Sequence, residues 1–269
     1  MISLEEYRQL CHDALKFDHS GFTYTVYEDY QDFVIEEDSS SLVAIFGINK
    51  GYNKPELLYS CNDEEELLRG LKGRKDILIQ FISEHWKTDL LNRGFQIFGE
   101  MKDYWIYGLD GFKDTEEPLF GKEEEAEEIS ELTKSVAYQS REFRGEEKEF
   151  VHAWLKNSEA NLLDAKSEEA KIFLVKENNE IIGALFMALY GKELPQGEVC
   201  WIRELAVRQD KQNCGIGRRL LNEALNYGRK KGAKRAFLSA DELNEQAKHL
   251  YKSIGFVPSE DEQLDLLSA

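Results

Sequence analysis

The stretch Gln212-Asn213-Cys214-Gly215-Ile216-Gly217-Arg218-Arg219-Leu220-Leu221 decides how this chain is read. It follows an apolar segment, Val199 to Val207, that reads as a strand, and it opens a helix. Ile216, Leu220, Ala224 and Gly228 share one face of that helix, and Lys230-Lys231-Gly232 supply a basic last turn and a glycine stop. The helix spans roughly 25 Å. Two glycines in its first turn let the backbone approach a ligand closely. The unpaired N–H groups there, with the helix dipole, form an anion site that a pyrophosphate fits. The same glycines also suit a tight strand-to-helix turn with no ligand, and the ten residues alone leave both readings open.

Context separates them. Ala236 to Ala240 reads as the next strand, and Asn244-x-x-Ala247-x-x-x-Tyr251-x-x-x-Gly255-Phe256 as a helix with a Gly-Phe exit. Together with Ile202-Arg203-Glu204-Leu205-Ala206-Val207 before the glycine turn, this pattern resembles the acyl-CoA-binding motif of the GNAT superfamily of N-acetyltransferases, over about Ile172 to Phe256. The resemblance implies an acyltransferase with acetyl-CoA (CoA) as cofactor. It also implies a fold in which the fourth and fifth strands splay and the pantetheine arm lies in the gap. By the same resemblance Leu205 and Val207 contact the arm, Gln212, Cys214, Gly215, Gly217 and Arg218 contact the phosphates, and Asn244 holds the arm from the other side.

Acetyl transfer to an amine needs a neutral amine, a stabilised oxyanion and a proton for the departing thiolate. An alkyl amine with a pKa near 10.4 is neutral in roughly one molecule per thousand or fewer at pH 7, so a base or water chain must deprotonate it. Glu204 is the candidate base, because some relatives place an acid on the fourth strand. Strand alternation groups it with Cys200, Ile202 and Ala206. A surface or ion-paired Glu204 is the competing reading, and Glu198 on the same face is a second choice. The backbone N–H of Ala206 or Val207 is the candidate oxyanion donor. Tyr251 lies seven residues after Asn244, on the same helix face, and relatives use such a hydroxyl to protonate the thiolate. A core tyrosine packed near Phe256 is its alternative.

Composition bounds the rest. The 269 residues suit two ordinary domains, and no apolar run approaches the roughly 20 residues that cross a bilayer. The N-terminus lacks a secretory pattern, so a cytoplasmic protein with no membrane partner is expected. The net charge of −18, carried by both halves, disfavours nucleic acid and would attract a cationic amine, whether a small molecule or a peptide. Cys11, Cys61, Cys200 and Cys214 form no CxxC pair and no cluster with the five histidines, so reduced thiols and no metal are expected.

Along the first half, Ser3 to Leu15 reads as a capped amphipathic helix with Tyr7, Leu10, Cys11, Ala14 and Leu15 on one face. Phe22 to Tyr27, Leu42 to Ile48 and Ile77 to Ile82 read as strands, and Asp63 to Leu71 and Trp86 to Asn92 as helices. A charge-rich stretch from Asp110 to Gly121 separates the halves, placing a boundary near Asp114, with residues 1–114 and 115–269 as domains. Helices over Glu123 to Thr133 and Glu146 to Lys156, then strands over Ile172 to Lys176, Ile181 to Tyr190 and Val199 to Val207, lead to the glycine turn.

Ile77 to Phe95 and Ala236 to Phe256 both run strand, helix, Gly-Phe. The expected class is therefore α+β (α/β mixed sheet): a tandem acyl-CoA N-acyltransferase fold with a degenerate N-terminal copy, or an unrelated α+β accessory domain there. Aligning the Gly-Phe exits sets Leu90 against Tyr251 and Ser83 against Asn244, so the first copy lacks the acid hydroxyl and the amide. It is expected to complete a substrate pocket without catalysis.

The acidic end, Val257 to Ala269, reads as loop where the family adds two more strands. Either a strand is missing or another segment supplies it, and a strand-mediated homodimer is left open. Two other functions compete: a non-catalytic acyl-CoA-binding or sensing protein, and a Rossmann-type nucleotide site. The absence of Gly-x-Gly-x-x-Gly argues against the second.

Overall fold

A computed structural model describes residues 1–22, 25, 27–113, 117–137, 139, 143–157, 167–193, 195 and 197–269. The chain forms two compact units, one of Met1–Met101 with Glu262–Ala269, the other of Lys102–Asp261. The expected boundary at Asp114 falls outside the described residues.

The first unit opens with α1 (Leu4–Ala14), entered through a capping box in which Ser3 and Glu6 satisfy each other's backbone N–H groups. Tyr7, Leu10 and Ala14 are buried, whereas Leu15 has left the helix at its C-cap and is exposed. The short strand β1 (His19–Ser20) and the single-turn helix α2 (Tyr27–Tyr30) follow. No strand forms over Phe22 to Tyr27 among the described residues; 23, 24 and 26 lie outside them. Phe22, Tyr27 and Tyr30 instead pack with Tyr7 and Leu10 of α1, so the aromatic content there reflects burial and not extended pairing.

β2 (Val34–Asp38), β3 (Leu42–Asn49) and β4 (Lys54–Cys61) form an antiparallel meander. α3 (Glu64–Leu71) crosses to β5 (Leu78–Ile82), which runs parallel to β4, and α4 (Glu84–Asn92) leads into β6 (Gln96–Tyr107). Alternation along β3 sends Leu42 and Ala44 beneath α3 and α4, against Leu67 and Leu90. Val43 and Ile45 go to the opposite face, against α1 and α2.

The second unit contains residues 102–107 of β6, then β7 (Leu119–Phe120), α5 (Ala126–Ser135), α6 (Lys148–Leu155), β8 (Glu169–Glu177) and β9 (Glu180–Tyr190). Asn178 and Asn179, at φ 52° and 67°, make the two-residue hairpin turn between β8 and β9. β10 (Val199–Val207), α7 (Ile216–Lys231), β11 (Arg235–Asp241), α8 (Glu245–Ile254) and β12 (Val257–Leu267) complete the chain. β8, β9 and β10 pair antiparallel and β11 joins parallel to β10, which repeats the β2-β3-β4-β5 order of the first unit. α7 and α8 cover one face of this sheet and α5 and α6 the other.

The acidic C-terminal segment is a strand and not a loop. Leu264 and Leu266 are fully buried and pair with Ile82 and Ile79 of β5. Asp265 between them is also buried, and its carboxylate accepts the Phe81 N–H at 3.0 Å. An acid that composition assigns to solvent is here a sheet acceptor. The strand beside β11 comes from residues 102–107 of β6: the Gly108 N–H donates to the Lys234 carbonyl at 2.9 Å, and Trp105 stacks on Phe237 with ring centroids 4.7 Å apart.

Candidate active site

β10 and β11 pair only through Val199 with Arg235, Cys200 with Ala236 and Trp201 with Phe237. Beyond Trp201 they part, and the β11-facing backbone edge of residues 203–207 loses its strand partner. β10 also carries a bulge. Ile202 lies opposite Met187 of β9, but Glu204 lies opposite the adjacent Phe186, leaving Arg203 as the extra residue.

The bulge overturns the face grouping expected from alternation. Cys200 and Ile202 stay in the core beneath α7, while Glu204 and Ala206 turn to the face covered by α5 and α6. Glu198, expected on the face of Glu204, sits before the bulge. Burial and the neighbouring Glu168 push its carboxyl up to about 7.

At the far end of β10 the chain turns into α7. Gly215 is the N-cap at φ 82°, with no side-chain cap and no acidic residue in the first turn. Among the described residues no side chain caps the first-turn N–H groups. Among the described residues, a Cβ at Gly215 would meet no atom within 4 Å. Gly217 is close-packed instead: a Cβ there would come within 3.1 Å of Leu250 and 3.6 Å of Leu205. The Gln212 amide donates to the Val207 carbonyl at 3.0 Å and to the Gln139 side chain at 2.8 Å, tying the turn to the strand end. Cys214 is exposed. The Arg218 guanidinium donates to the Ser253 hydroxyl at 2.5 Å, at the last turn of α8.

Asn244 caps α8, its Oδ1 accepting the Ala247 N–H at 3.1 Å. With Oδ1 so used, its amide N–H₂ has no hydrogen bond among the described residues. Tyr251 packs its ring 6.1 Å from Phe256 and 6.3 Å from Tyr104 of β6. Burial raises its phenol above the ordinary range, and the charge of Glu204 raises it further. The Glu204 charge is thus felt at the Tyr251 hydroxyl.

Glu204 is itself pushed up to about 8. Burial is the main cause, the Arg203 guanidinium opposes it, and the Glu146 carboxyl adds to it. Arg203 donates to Glu146 at 2.6 Å, lies 3.9 Å from Glu204, and places its guanidinium 4.3 Å from the Phe150 ring centre. The sequence did not point to Glu146, which precedes its partner by 57 residues, nor to Tyr104, whose hydroxyl donates to Glu242 just after β11. No motif spacing links such distant positions. Among the described residues no group of three His, Cys, Asp or Glu side chains could hold a metal ion, and no helix is long and apolar enough to cross a membrane.

Residues 132–256 match the acetyltransferase (GNAT) family, a span that holds the splay, the glycine turn and α8. This segment is a GNAT domain. Solved structures resembling most of the chain include a functionally unknown conserved protein from Staphylococcus epidermidis ATCC 12228, at 15% identity and a TM-score of 0.52, covering 92% of this chain and 99% of that one. A GCN5-related N-acetyltransferase from Sphaerobacter thermophilus aligns at 13% identity and a TM-score of 0.54, covering 85% and 76%. At these identities the likeness shows the fold. No curated protein matches the chain. With the repeated strand order, the comparisons give a tandem acyl-CoA N-acyltransferase fold over most of the chain, the family match lying in its second copy.

Proposed function

We propose that the GNAT domain transfers acetyl from acetyl-CoA to a primary amine of a small molecule or peptide, by direct attack in a ternary complex. The observation that carries this reading is the acid-free, side-chain-uncapped start of α7 beside the parted ends of β10 and β11. The residues fit the carrier. The first-turn N–H groups around Gly215 and Gly217, with Arg218, Gln212 and the exposed Cys214, frame a site for its diphosphate. The open edges of Leu205 and Val207 offer backbone groups to its arm, and Asn244 offers its amide donor.

Acetyl-CoA supplies an activated thioester; the chain supplies proton handling and orientation. Glu204 takes a proton from the amine. A carboxyl pushed up to about 8 is partly ionised near neutral pH and is a stronger base than an ordinary carboxylate. Of the two candidate donors, the Ala206 backbone faces β9, whereas the Val207 N–H lies on the open edge after the bulge and donates to the carbonyl oxygen as charge develops. The Tyr251 hydroxyl delivers a proton to the sulfur. The acidic surface favours a cationic acceptor, and the four free cysteines suit a reducing, cytoplasmic compartment.

Calorimetry with acetyl-CoA and CoA, followed by thiol release on a panel of primary amines, tests the proposal. Binding and amine-dependent thiol release are expected, with the rate rising with pH through about 8 as Glu204 ionises. Absence of binding ends the reading. Binding without turnover on any amine leaves an acyl-CoA-binding protein.

A further inference from the structure

We propose that Glu146 is a positioning residue for the candidate base: clamped by Arg203, its carboxylate holds Glu204 in place and sets the pH at which Glu204 takes up a proton. The inference rests on the acetyltransferase reading for its catalytic consequence, but the carboxyl pair itself can be observed without turnover.

The fold fixes Glu146 with unusual care for a residue in a connecting segment. Gly145 before it, at φ 81°, passes so close to α5 that a Cβ would stand 2.6 Å from the Lys134 backbone. No other residue fits there without displacing the helix. Two hydroxyls of α5 then grip the Glu146 backbone. The Thr133 Oγ1 accepts its N–H at 2.8 Å, and the Ser130 Oγ donates to its carbonyl at 2.6 Å. Both residues are buried. The side chain so placed meets the guanidinium of Arg203, which is further fixed over the rings of Phe150 and Trp154. Arg203 is the extra residue of the bulge, so the distortion that turns Glu204 toward α5 and α6 also delivers its cationic neighbour.

Glu204 is faced by Arg203 from its own strand, Glu146 from the segment before α6 and Tyr251 from α8, while β9 presents the uncharged Phe186. Among the described residues two carboxyls share one guanidinium here, so the Glu146 carboxyl disfavours the charged form of Glu204. Arg203 bonds more closely to Glu146, at 2.6 Å, than to Glu204, at 3.9 Å, so the cation offsets the burial of Glu204 only in part.

The test is a carboxyl ¹³C NMR titration of glutamate-labelled protein, with Glu204 assigned by Glu204→Gln, run beside the pH profile of acetyl transfer. Glu146→Gln should move the Glu204 midpoint, and the acid limb of kcat/KM with it, to lower pH by about 1 pH unit, a ten-fold change in proton affinity. Acetyl-CoA affinity should stay within about two-fold. Glu146→Asp should restore at least half of the shift. Arg203→Gln should move the midpoint the opposite way, which keeps the proposal exposed if Glu146→Gln folds poorly. An unmoved midpoint in Glu146→Gln, or a downward move in Arg203→Gln, overturns it. A shifted midpoint in a protein that transfers no acetyl group would remove the acetyltransferase reading while leaving the carboxyl pair established.

Discussion

The helices α3 and α7 occupy matching places in two copies of one fold, each crossing from the third strand of a meander to a parallel fourth, yet their first turns are opposites. α3 is capped by the Asp63 carboxylate, which accepts the Glu66 N–H at 3.0 Å, and Glu64, Glu65 and Glu66 fill its first turn. α7 is capped by Gly215 with neither a side-chain acceptor nor an acid. The first turn of α3 spends its positive end on the chain's own carboxylates, as ordinary helix stabilisation favours; among the described residues α7 has no such acid at its start, and the proposed function assigns that end to the carrier's diphosphate. The strand gap differs too. In the first unit the fully buried Tyr59 spans from β4 to β5, its hydroxyl donating to the Phe81 carbonyl at 3.0 Å. On the proposed function, an acyl-carrier site needs more than the fold: it needs an uncapped helix start and an unfilled gap between the strands.

The exits of the following helices match more closely. Phe95 N–H donates to the Leu90 carbonyl and Phe256 N–H to the Tyr251 carbonyl, both at 3.1 Å, and both follow a glycine of positive φ. Leu90 and Tyr251 are thus equivalent in backbone role, and only the second carries a hydroxyl. Removing it should have the largest effect. Tyr251→Phe is expected to lower kcat by about 1000-fold while CoA affinity barely changes. Equal losses in both would make Tyr251 a packing residue like Leu90.

Giving α7 the start of α3 tests the other half of the comparison. Gly215→Asp places a carboxylate at the cap, in a left-handed conformation that Asp tolerates better than most residues. Affinity for CoA should fall by about 100-fold, with only a few degrees' change in Tm, because an N-cap acid also supports the helix. Retained affinity would detach the anion from this helix. Calorimetry should likewise give one CoA per chain; a second site would mean that the acidic start of α3 is no barrier.

The first copy was legible from a short repeat because a glycine exit is a backbone requirement that survives divergence. The capping box at Ser3, the Asn178-Asn179 turn and the limits of β10 were legible for the same reason: each is set by local chemistry. Long-range pairing was not. Nothing near residues 102–107 says that they lie beside β11, and Asp265 looks like solvent-exposed sequence until Phe81 supplies its partner. At the candidate site, the glycine turn could be read from spacing, but the face of Glu204 could not. A bulge reverses alternation with no fixed residue signature, so Arg203 and Glu146 entered only with the structure.

Both copies bury a carboxyl with a raised pKa, and the smallest effect concerns the one that has no site to serve. Glu56 on β4 is fully buried, accepts from Tyr30 at 3.0 Å and Asn49 at 2.7 Å, and is pushed up to about 7 chiefly by burial. Its ordinary value is 4.5, so between about 4.5 and 7 the folded chain holds a proton that the unfolded chain has lost. Stability from this group is then full below 4.5 and declines as pH rises toward 7, by about 1–3 kcal/mol. Glu56→Gln cannot ionise and should flatten that part of the pH dependence, which thermal unfolding at pH 5 and pH 8 would measure against the wild type. Parallel pH trends in the two proteins would show that Tyr30 and Asn49 stabilise the carboxylate well enough to cancel its burial. Glu56 would then be an ordinary buried acceptor, and the coupling of a raised carboxyl to an exposed gap would belong to Glu204 alone.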